Sequence, residues 1–488
     1  MKSIFIAGEW RVGGGQPVES IYPADNSVNA VISTASEEDV EEAIAAADRA
    51  WRDPNWFDSL PREKAAILFK VADLMEQRKE SLAQLQTRDN GKTINETLAL
   101  VSSAVMTTRY IASSLETLDS SLTNQRDPTL LTFSTYEPIG VIAAITPWNS
   151  PIASEIQKIV PALAGGNAVI LKPAEATCLI ALELASIFEE AGLPKGLLSV
   201  LPGKGSVVGE QIVRHPLVKK ISFTGSTGVG KHLARIAADK LITTSLELGG
   251  KSPTIVFDDA DIDIAVNGVI YGIFSSTGQA CIAGSRLFIH DSIYVSFLEK
   301  LVQKTKKLIV GDPESKQTQM GPVISESHLE SIDNYVQIAK SEGGNVILGG
   351  ERLTSDGLDK GSYYPPTIIT GLDNQARACQ EEIFGPVLVV MPFNNEEELL
   401  QKANDSIYGL AAGIWTENYR KALLFSKKLE AGTIWINTYK KFSISTPFGG
   451  YKESGVGREK GRLNIFDYMQ QKSIFLSLDS KPNTWCEN

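Results

Sequence analysis

The clearest periodicity near the start of the chain is Val40, Ile44, Ala47 and Trp51, apolar positions three and four residues apart in a polar background. That spacing puts them on one helical face. Ser36 can cap the helix, and Glu38 and Asp39 favour its N-terminus electrostatically, so a helix is predicted from about Glu37. Before it, Ile4 to Trp10 and Val18 to Tyr22 read as short strands, and after it a longer helix pair is predicted, Pro61 to Asp89 and Ile94 to Leu118, separated by Asn90-Gly91. Leu130 to Glu137 and Ser473 to Leu478 show the partial alternation of half-exposed edge strands.

From Gly140 the pattern changes. Val141 to Ile145, Ala168 to Leu171, Leu198 to Leu201 and Lys220 to Phe223 are short apolar runs separated by helical stretches, one ending near Ala164 and another covering Thr177 to Ala191. Runs of this kind, apolar on both faces, mark buried parallel strands. A second set follows Glu247, with strands at Ser252 to Phe257, Leu287 to Ile289 and Leu388 to Phe393 and a helix from Ile293 to Leu308. The predicted class is α/β, with a Rossmann-like domain followed by a second α/β domain; no internal repeat or low-complexity linker divides them.

At 488 residues the chain exceeds one ordinary core, and 43% hydrophobic with 22% charged residues is a globular composition. A formal charge of −11, with no basic block, argues against nucleic acid as a partner. No apolar run approaches the ~18 residues of a membrane-spanning helix, and Met1 to Glu9 turns polar too early for a secretory signal. Four scattered cysteines, Cys178, Cys281, Cys379 and Cys486, form no disulfide framework, which fits a reducing cytoplasm. With four histidines and no ligand spacing among them, no metal site is expected.

Two glycine patterns need sorting. Gly225 to His232 nearly matches a P-loop, but His232 stands where the Mg²⁺-binding hydroxyl belongs, so triphosphate hydrolysis is not expected. What survives is a strand ending in Phe223-Thr224-Gly225-Ser226 and feeding a helix whose first amides are free to bind an anion. Gly203 to Gly209 has its third glycine one place too late for a dinucleotide fingerprint and reads as a tight strand-to-helix turn.

The chemistry centres on Cys281. Most free cysteines are small buried hydrophobes, but this one lies between Gly278 and Gly284 among small polar residues, where backbone amides can approach a ligand. Taken whole, Gly278 to Arg286 resembles the nucleophile signature of the NAD(P)-dependent aldehyde dehydrogenase superfamily, with Ser276 where that family usually has Asn. The resemblance extends from about Trp10 to Gly461, through Pro147-Trp148-Asn149, Leu171-Lys172-Pro173-Ala174-Glu175, Phe223 to Ser226, Glu247-Leu248-Gly249-Gly250-Lys251, Glu381 to Val387, Pro447 to Lys452 and Ser454 to Glu459.

The resemblance implies a set of roles. Cys281 is the nucleophile, Glu247 the general base and Glu459 its proton relay, while Asn149 and the Cys281 amide hold the oxyanion, a task for which a carboxamide donor is suited. Trp148 lies in the cofactor region, Lys172 binds the adenosine ribose, and Glu175 accepts from its 2′-hydroxyl and repels a 2′-phosphate, favouring NAD⁺ over NADP⁺. Ser226, with Gly225 and Gly230, meets the pyrophosphate, Glu382 the nicotinamide ribose, and Phe384 buttresses the ring. Residues 1–119 and 139–248 are expected to form the cofactor domain, 249–455 the catalytic domain, and 120–138 with 456–488 an arm pairing subunits into a homodimer or homotetramer.

The expected reaction is oxidation of an aldehyde to its acid through a cysteine thioester. Its rivals are a CoA-acylating dehydrogenase, against which Glu247 argues, and a silent structural homologue, which would lack an essential residue. By family alignment Ser150 and Gln157 replace frequent tunnel-mouth aromatics, Phe442 and Phe448 remain on the far wall, and Lys440 and Lys441 lie near the entrance. A polar aldehyde, such as a semialdehyde carrying a carboxylate, suits that lining.

Overall fold

Four of the apolar runs, with Thr243–Glu247 added at one side, assemble into one parallel sheet. In the computed structural model, which describes residues 3–355, 357–480 and 485–486, the order is Leu198–Val200, Ala168–Lys172, Val141–Ile145, Val218–Thr224 and Thr243–Glu247. The chain builds outward from Val141–Ile145 in one direction, then returns to add strands on its other side. That reversal makes a crevice at the carboxyl ends of the central strands, where ligands of doubly wound sheets bind. Ile4–Ile6 and Glu9–Arg11 extend one edge antiparallel, and Gly455–Val456 pairs antiparallel with Leu246 and Glu247 at the other.

Seven strands form a second sheet in the order Asn345–Leu348, Thr367–Thr370, Val387–Phe393, Arg286–His290, Pro253–Val256, Ala411–Trp415 and Thr433–Ile436, parallel except at the first pair. Its two faces bury separate apolar clusters, one around Ile255, Phe257 and Phe288 and one around Val256, Leu287 and Ile289. Successive residues on a strand point to opposite faces, so each strand serves both cores.

The start of the first helix matches its expectation. Ser36 accepts from the Asp39 amide at 3.2 Å, and the Asp39 carboxylate accepts from the Ser36 amide at 2.9 Å, closing a capping box on Glu37–Arg52. The stretch predicted as one helix from Pro61 to Asp89 is two, Pro61–Gln77 and Lys79–Asn90, because Arg78 leaves helical geometry at φ −99° and ψ 15°. Its guanidinium is drawn to Glu183 and Glu190 on the helix Cys178–Glu190. Gly91 then ends the second helix at φ 75°, a left-handed cap that glycine adopts without strain.

Leu130–Pro138, Met469–Ser477 and Ser121–Leu122 make a separate antiparallel sheet, with Ser134 opposite Ser473. The stretch leading into it is less detached than the sequence suggests, since Ile465 and Tyr468 are buried in the core of the first sheet. Residues 1–2, 481–484 and 487–488 of the expected terminal segments lie outside the described residues. Among the described residues no helix is long and apolar enough to cross a membrane, no group of acids, histidines and cysteines is arranged to hold a metal, and Cys178, Cys281, Cys379 and Cys486 are free thiols.

Candidate active site

The helix Ile262–Phe274 ends in a turn that ordinary helical geometry cannot make. Ser276, Thr277 and Gly278 follow with φ of 59°, 55° and 70°, three left-handed residues in succession. A non-glycine residue pays for that region, and Asn would tolerate it better than the Ser at position 276. The turn is held by its surroundings: the Ser276 amide donates to the Glu96 carboxylate, the Thr277 hydroxyl to the Gly321 carbonyl at 3.1 Å, and the Ile324 amide to the Gln279 side chain at 2.9 Å. Cys281 leaves this turn half-buried.

Three sequence-distant residues converge on the cysteine loop. The Asn149 side-chain amide donates to the Gln279 carbonyl at 3.0 Å, bringing the carboxamide two residues from Cys281. A Cβ on Gly250 would sit 2.2 Å from the Cys281 carbonyl oxygen, so the glycine allows the end of the Glu247 strand to touch the loop. On the far side, Tyr439 donates from its hydroxyl to the Ile282 carbonyl at 3.0 Å.

Glu247 ends the strand Thr243–Glu247 and is buried, with one carboxylate oxygen lacking any partner. Burial pushes its pKa well above the usual carboxylate range, and the neighbouring Glu459 charge pushes in the same direction. Glu459 is buried against the Lys158 ammonium, which also donates to the Ser222 hydroxyl at 3.3 Å; that hydroxyl lies 3.0 Å from the Tyr468 hydroxyl. Burial pushes the Cys281 thiol up to about 12, with the Glu382 and Glu247 carboxylates adding to it and backbone amides opposing. Both groups are thus pushed toward their neutral forms, and activation of the thiol requires a change of environment.

The expected cofactor residues gather along the carboxyl edge of the first sheet. Lys172 is buried at a strand end, its ammonium donating to the Pro173 carbonyl at 2.9 Å, with Glu175 in the next turn. Ser226 caps the helix Thr227–Lys240, and a Cβ on Gly228 in its first turn would meet nothing within 4 Å. Gly225 and Gly230 also have packing roles, because a Cβ at either would come within 2.4 Å of Phe223 or Leu248. Glu382 accepts from the Gly250 amide at 3.0 Å, and a Cβ on Gly249 would collide with its carboxylate. Its pKa is pushed up to about 7 by burial. Exposed helix amides, a lysine at a strand end and a glycine-cradled acid fit an extended anionic dinucleotide.

Phe384 holds φ 56°, a costly conformation for a bulky residue. Trp148 meets its ring edge-on at 5.2 Å, and the His328 Nε2–H donates to its carbonyl at 2.8 Å. Burial lowers the His328 pKa, against the opposing pull of the Phe384 carbonyl. The sequence reading missed His328 because it lies on the helix Glu326–Ser341 outside every motif. It also missed Lys92, Lys158 and Lys460. Only their adjacency to Gly91 and Glu459, or a place on the helix after Asn149, hinted at them.

The two-sheet α/β fold brings a half-buried cysteine loop, a buried carboxylate and a crevice at the carboxyl ends of parallel strands together, an arrangement compatible with a dehydrogenase. A family model described as the aldehyde dehydrogenase family matches residues 10–474, and the chain belongs to that family of enzymes. Among solved structures, an aldehyde dehydrogenase from Bacillus cereus in complex with NAD⁺ is 40% identical, covering 98% of this chain and 97% of that one, at a TM-score of 0.95. Betaine aldehyde dehydrogenase from Staphylococcus aureus, also in complex with NAD⁺, is 37% identical over 99% of this chain and 96% of that one, at a TM-score of 0.97.

Proposed function

We propose that this enzyme oxidises a polar aldehyde to its carboxylic acid with NAD⁺, through a thioester on Cys281. The observation that carries the reading is the convergence of Asn149 and the Glu247 strand end on the Cys281 loop. Residues 1–119 with 139–248 serve as the cofactor domain and 249–455 as the catalytic domain, so that the cysteine faces the crevice from across the two. Lys172, Glu175, Ser226, Gly225, Gly230, Trp148, Glu382 and Phe384 hold the dinucleotide, and Glu175 disfavours a 2′-phosphate.

The Cys281 thiolate forms a C–S bond to the aldehyde carbon, and the carbonyl π electrons move to oxygen. Asn149 Nδ2–H and the Cys281 amide hydrogen-bond that oxyanion. NAD⁺, when bound, supplies the acceptor for the hydride that leaves the same carbon, and its positive ring favours the thiolate. Collapse of the oxyanion restores the carbonyl as a thioester. Glu247 takes a proton from water, the hydroxide adds to the thioester carbon, and the C–S bond breaks to give the acid and the sulfur. Glu459 and Lys158 lead the proton away from Glu247.

The enzyme assembles as a homodimer or homotetramer through the arm of residues 120–138 and 456–488. Phe475, Leu476 and Leu122 on its strands are exposed apolar side chains, a liability for an isolated edge. Four free thiols are in keeping with a cytoplasmic setting. The functional test is NADH absorbance with NAD⁺ or NADP⁺ and a panel of aldehydes, with product analysis in the presence of CoA. NAD⁺-dependent acid formation that is lost in Cys281→Ser is expected. An acyl-CoA product, or unchanged turnover in that variant, would overturn the mechanism.

A further inference from the structure

Ser222 is a fully buried hydroxyl in the interior of the first sheet. It lies on the strand Val218–Thr224 between the apolar residues Ile221 and Phe223, opposite Ala144 on one neighbouring strand and Ser245 on the other. Strands buried on both faces favour apolar side chains, so a hydroxyl at this place needs a partner. It has two. The Lys158 ammonium donates to it at 3.3 Å, and the Tyr468 hydroxyl lies 3.0 Å away.

Lys158, on the helix Pro151–Ala164, is fully buried and pairs with Glu459. Glu459 in turn stands close to Glu247. Phe448 and Glu459 exchange both main-chain hydrogen bonds, at 2.8 and 2.7 Å, and a Cβ on the adjacent Gly449 would lie 2.9 Å from Glu247 Oε1. Glu459, Lys158, Ser222 and Tyr468 therefore make one hydrogen-bonded row that starts beside Glu247. Tyr468 ends the row and is itself held: its carbonyl accepts from Asn167 Nδ2 at 2.7 Å, and the Lys220 ammonium lies 5.2 Å from its ring centroid.

A proton moved from Glu247 to the Glu459 carboxylate leaves Lys158 as a buried ammonium beside a neutral acid, a costly state in a dry interior. An oxygen lone pair held against the ammonium offsets part of that cost. Ser222 offers one only while its own hydrogen points elsewhere, and the Tyr468 oxygen is the acceptor within reach. Resting on the reading of Cys281 as the thioester-forming nucleophile and Glu247 as the hydrolytic base, we propose that Ser222 and Tyr468 are positioning residues for thioester hydrolysis. They hold the Lys158 ammonium in place while Glu459 carries the proton, and so let Glu247 return to its basic form. Both are fully enclosed and meet no substrate. Attack by sulfur and departure of hydride do not draw on them.

The test is a single turnover with enzyme and NAD⁺ in excess over the aldehyde, quenched at intervals, with the acyl group on Cys281 followed by mass spectrometry. In Ser222→Ala, loss of the acyl group should slow roughly 10-fold, the factor for a lost hydrogen bond to a charged group, and in Tyr468→Phe roughly 3-fold, that for a neutral one. In both, the acyl group should appear at the wild-type rate. The double variant should be no slower than Ser222→Ala alone, because Tyr468 acts through Ser222. Should Ser222→Ala fail to fold, Tyr468→Phe decides by the same separation of appearance from loss. Acyl loss at the wild-type rate in the single variants, equal slowing of appearance and loss, or slowing that multiplies in the double variant would overturn the inference. A wild type in which no aldehyde puts an acyl group on Cys281 would instead remove the thioester reading on which it rests.

Discussion

Replacing Glu247 by Gln separates the two halves of the proposed cycle. The amide has nearly the volume of the acid, so the tight approach of Gly449, whose Cβ would lie 2.9 Å from Glu247 Oε1, is not disturbed by size. The other carboxylate oxygen has no partner, so no existing hydrogen bond is lost there. What disappears is the ability to take a proton. A positioned general base contributes about 10²–10⁴ in rate, so steady-state NADH formation should fall by that factor. Attack by Cys281 should be spared, because ionised Glu247 raises the thiol pKa and a neutral amide does not. Rapid-mixing absorbance should therefore show a burst approaching one NADH per active site, followed by slow turnover, and mass spectrometry of the quenched enzyme should find an acyl group on Cys281. Unchanged steady-state turnover would refute the role of Glu247, and loss of the burst together with turnover would move that role to activation of the thiol.

Asn149→Ala should lower kcat/KM by about 10²–10³ if the carboxamide holds the oxyanion; unchanged kinetics would leave Asn149 only its bond to Gln279. Both Cys281 and Glu247 have pKa values raised by burial, and both must lose a proton to act, so kcat/KM should climb from neutral into alkaline pH. A profile falling over that range would contradict the assignment. Glu155 is fully buried, neither carboxylate oxygen has a partner, and burial with the Asp89 charge raises its pKa well above the usual range. Its folded pKa exceeds the unfolded one, so its contribution to stability is present in acid and is lost as pH rises toward the folded value. Glu155→Gln should accordingly stabilise the protein by about 1 kcal/mol or more at neutral pH, with a gain in melting temperature that shrinks on acidification; a gain independent of pH would be inconsistent with titration of Glu155.

Much of the architecture was legible in the linear chain because buried parallel strands carry their signal locally. Val141 to Ile145 and Ala168 to Leu171 are apolar on both faces, and Ser36 marks its helix start within a few residues. The reactive loop was legible for a similar reason, since Gly278, Gly250 and Gly249 stand where backbone or a carboxylate passes too close for a Cβ. The break at Arg78 was invisible, because the acids that draw its guanidinium aside lie more than 100 positions later, on another helix.

The same distinction governs the chemistry. The identities of Cys281, Asn149, Glu247 and Glu459 were determined by the order of residues, with their motifs intact in the chain. Their electrostatic state was decided only by folding: a thiol and an acid pushed toward their neutral forms, and Glu459 bound to Lys158 from a helix 301 positions earlier. A residue's type is local, whereas its solvation and counter-charges come from whatever the chain packs around it, and burial is the largest cause of each of these shifts.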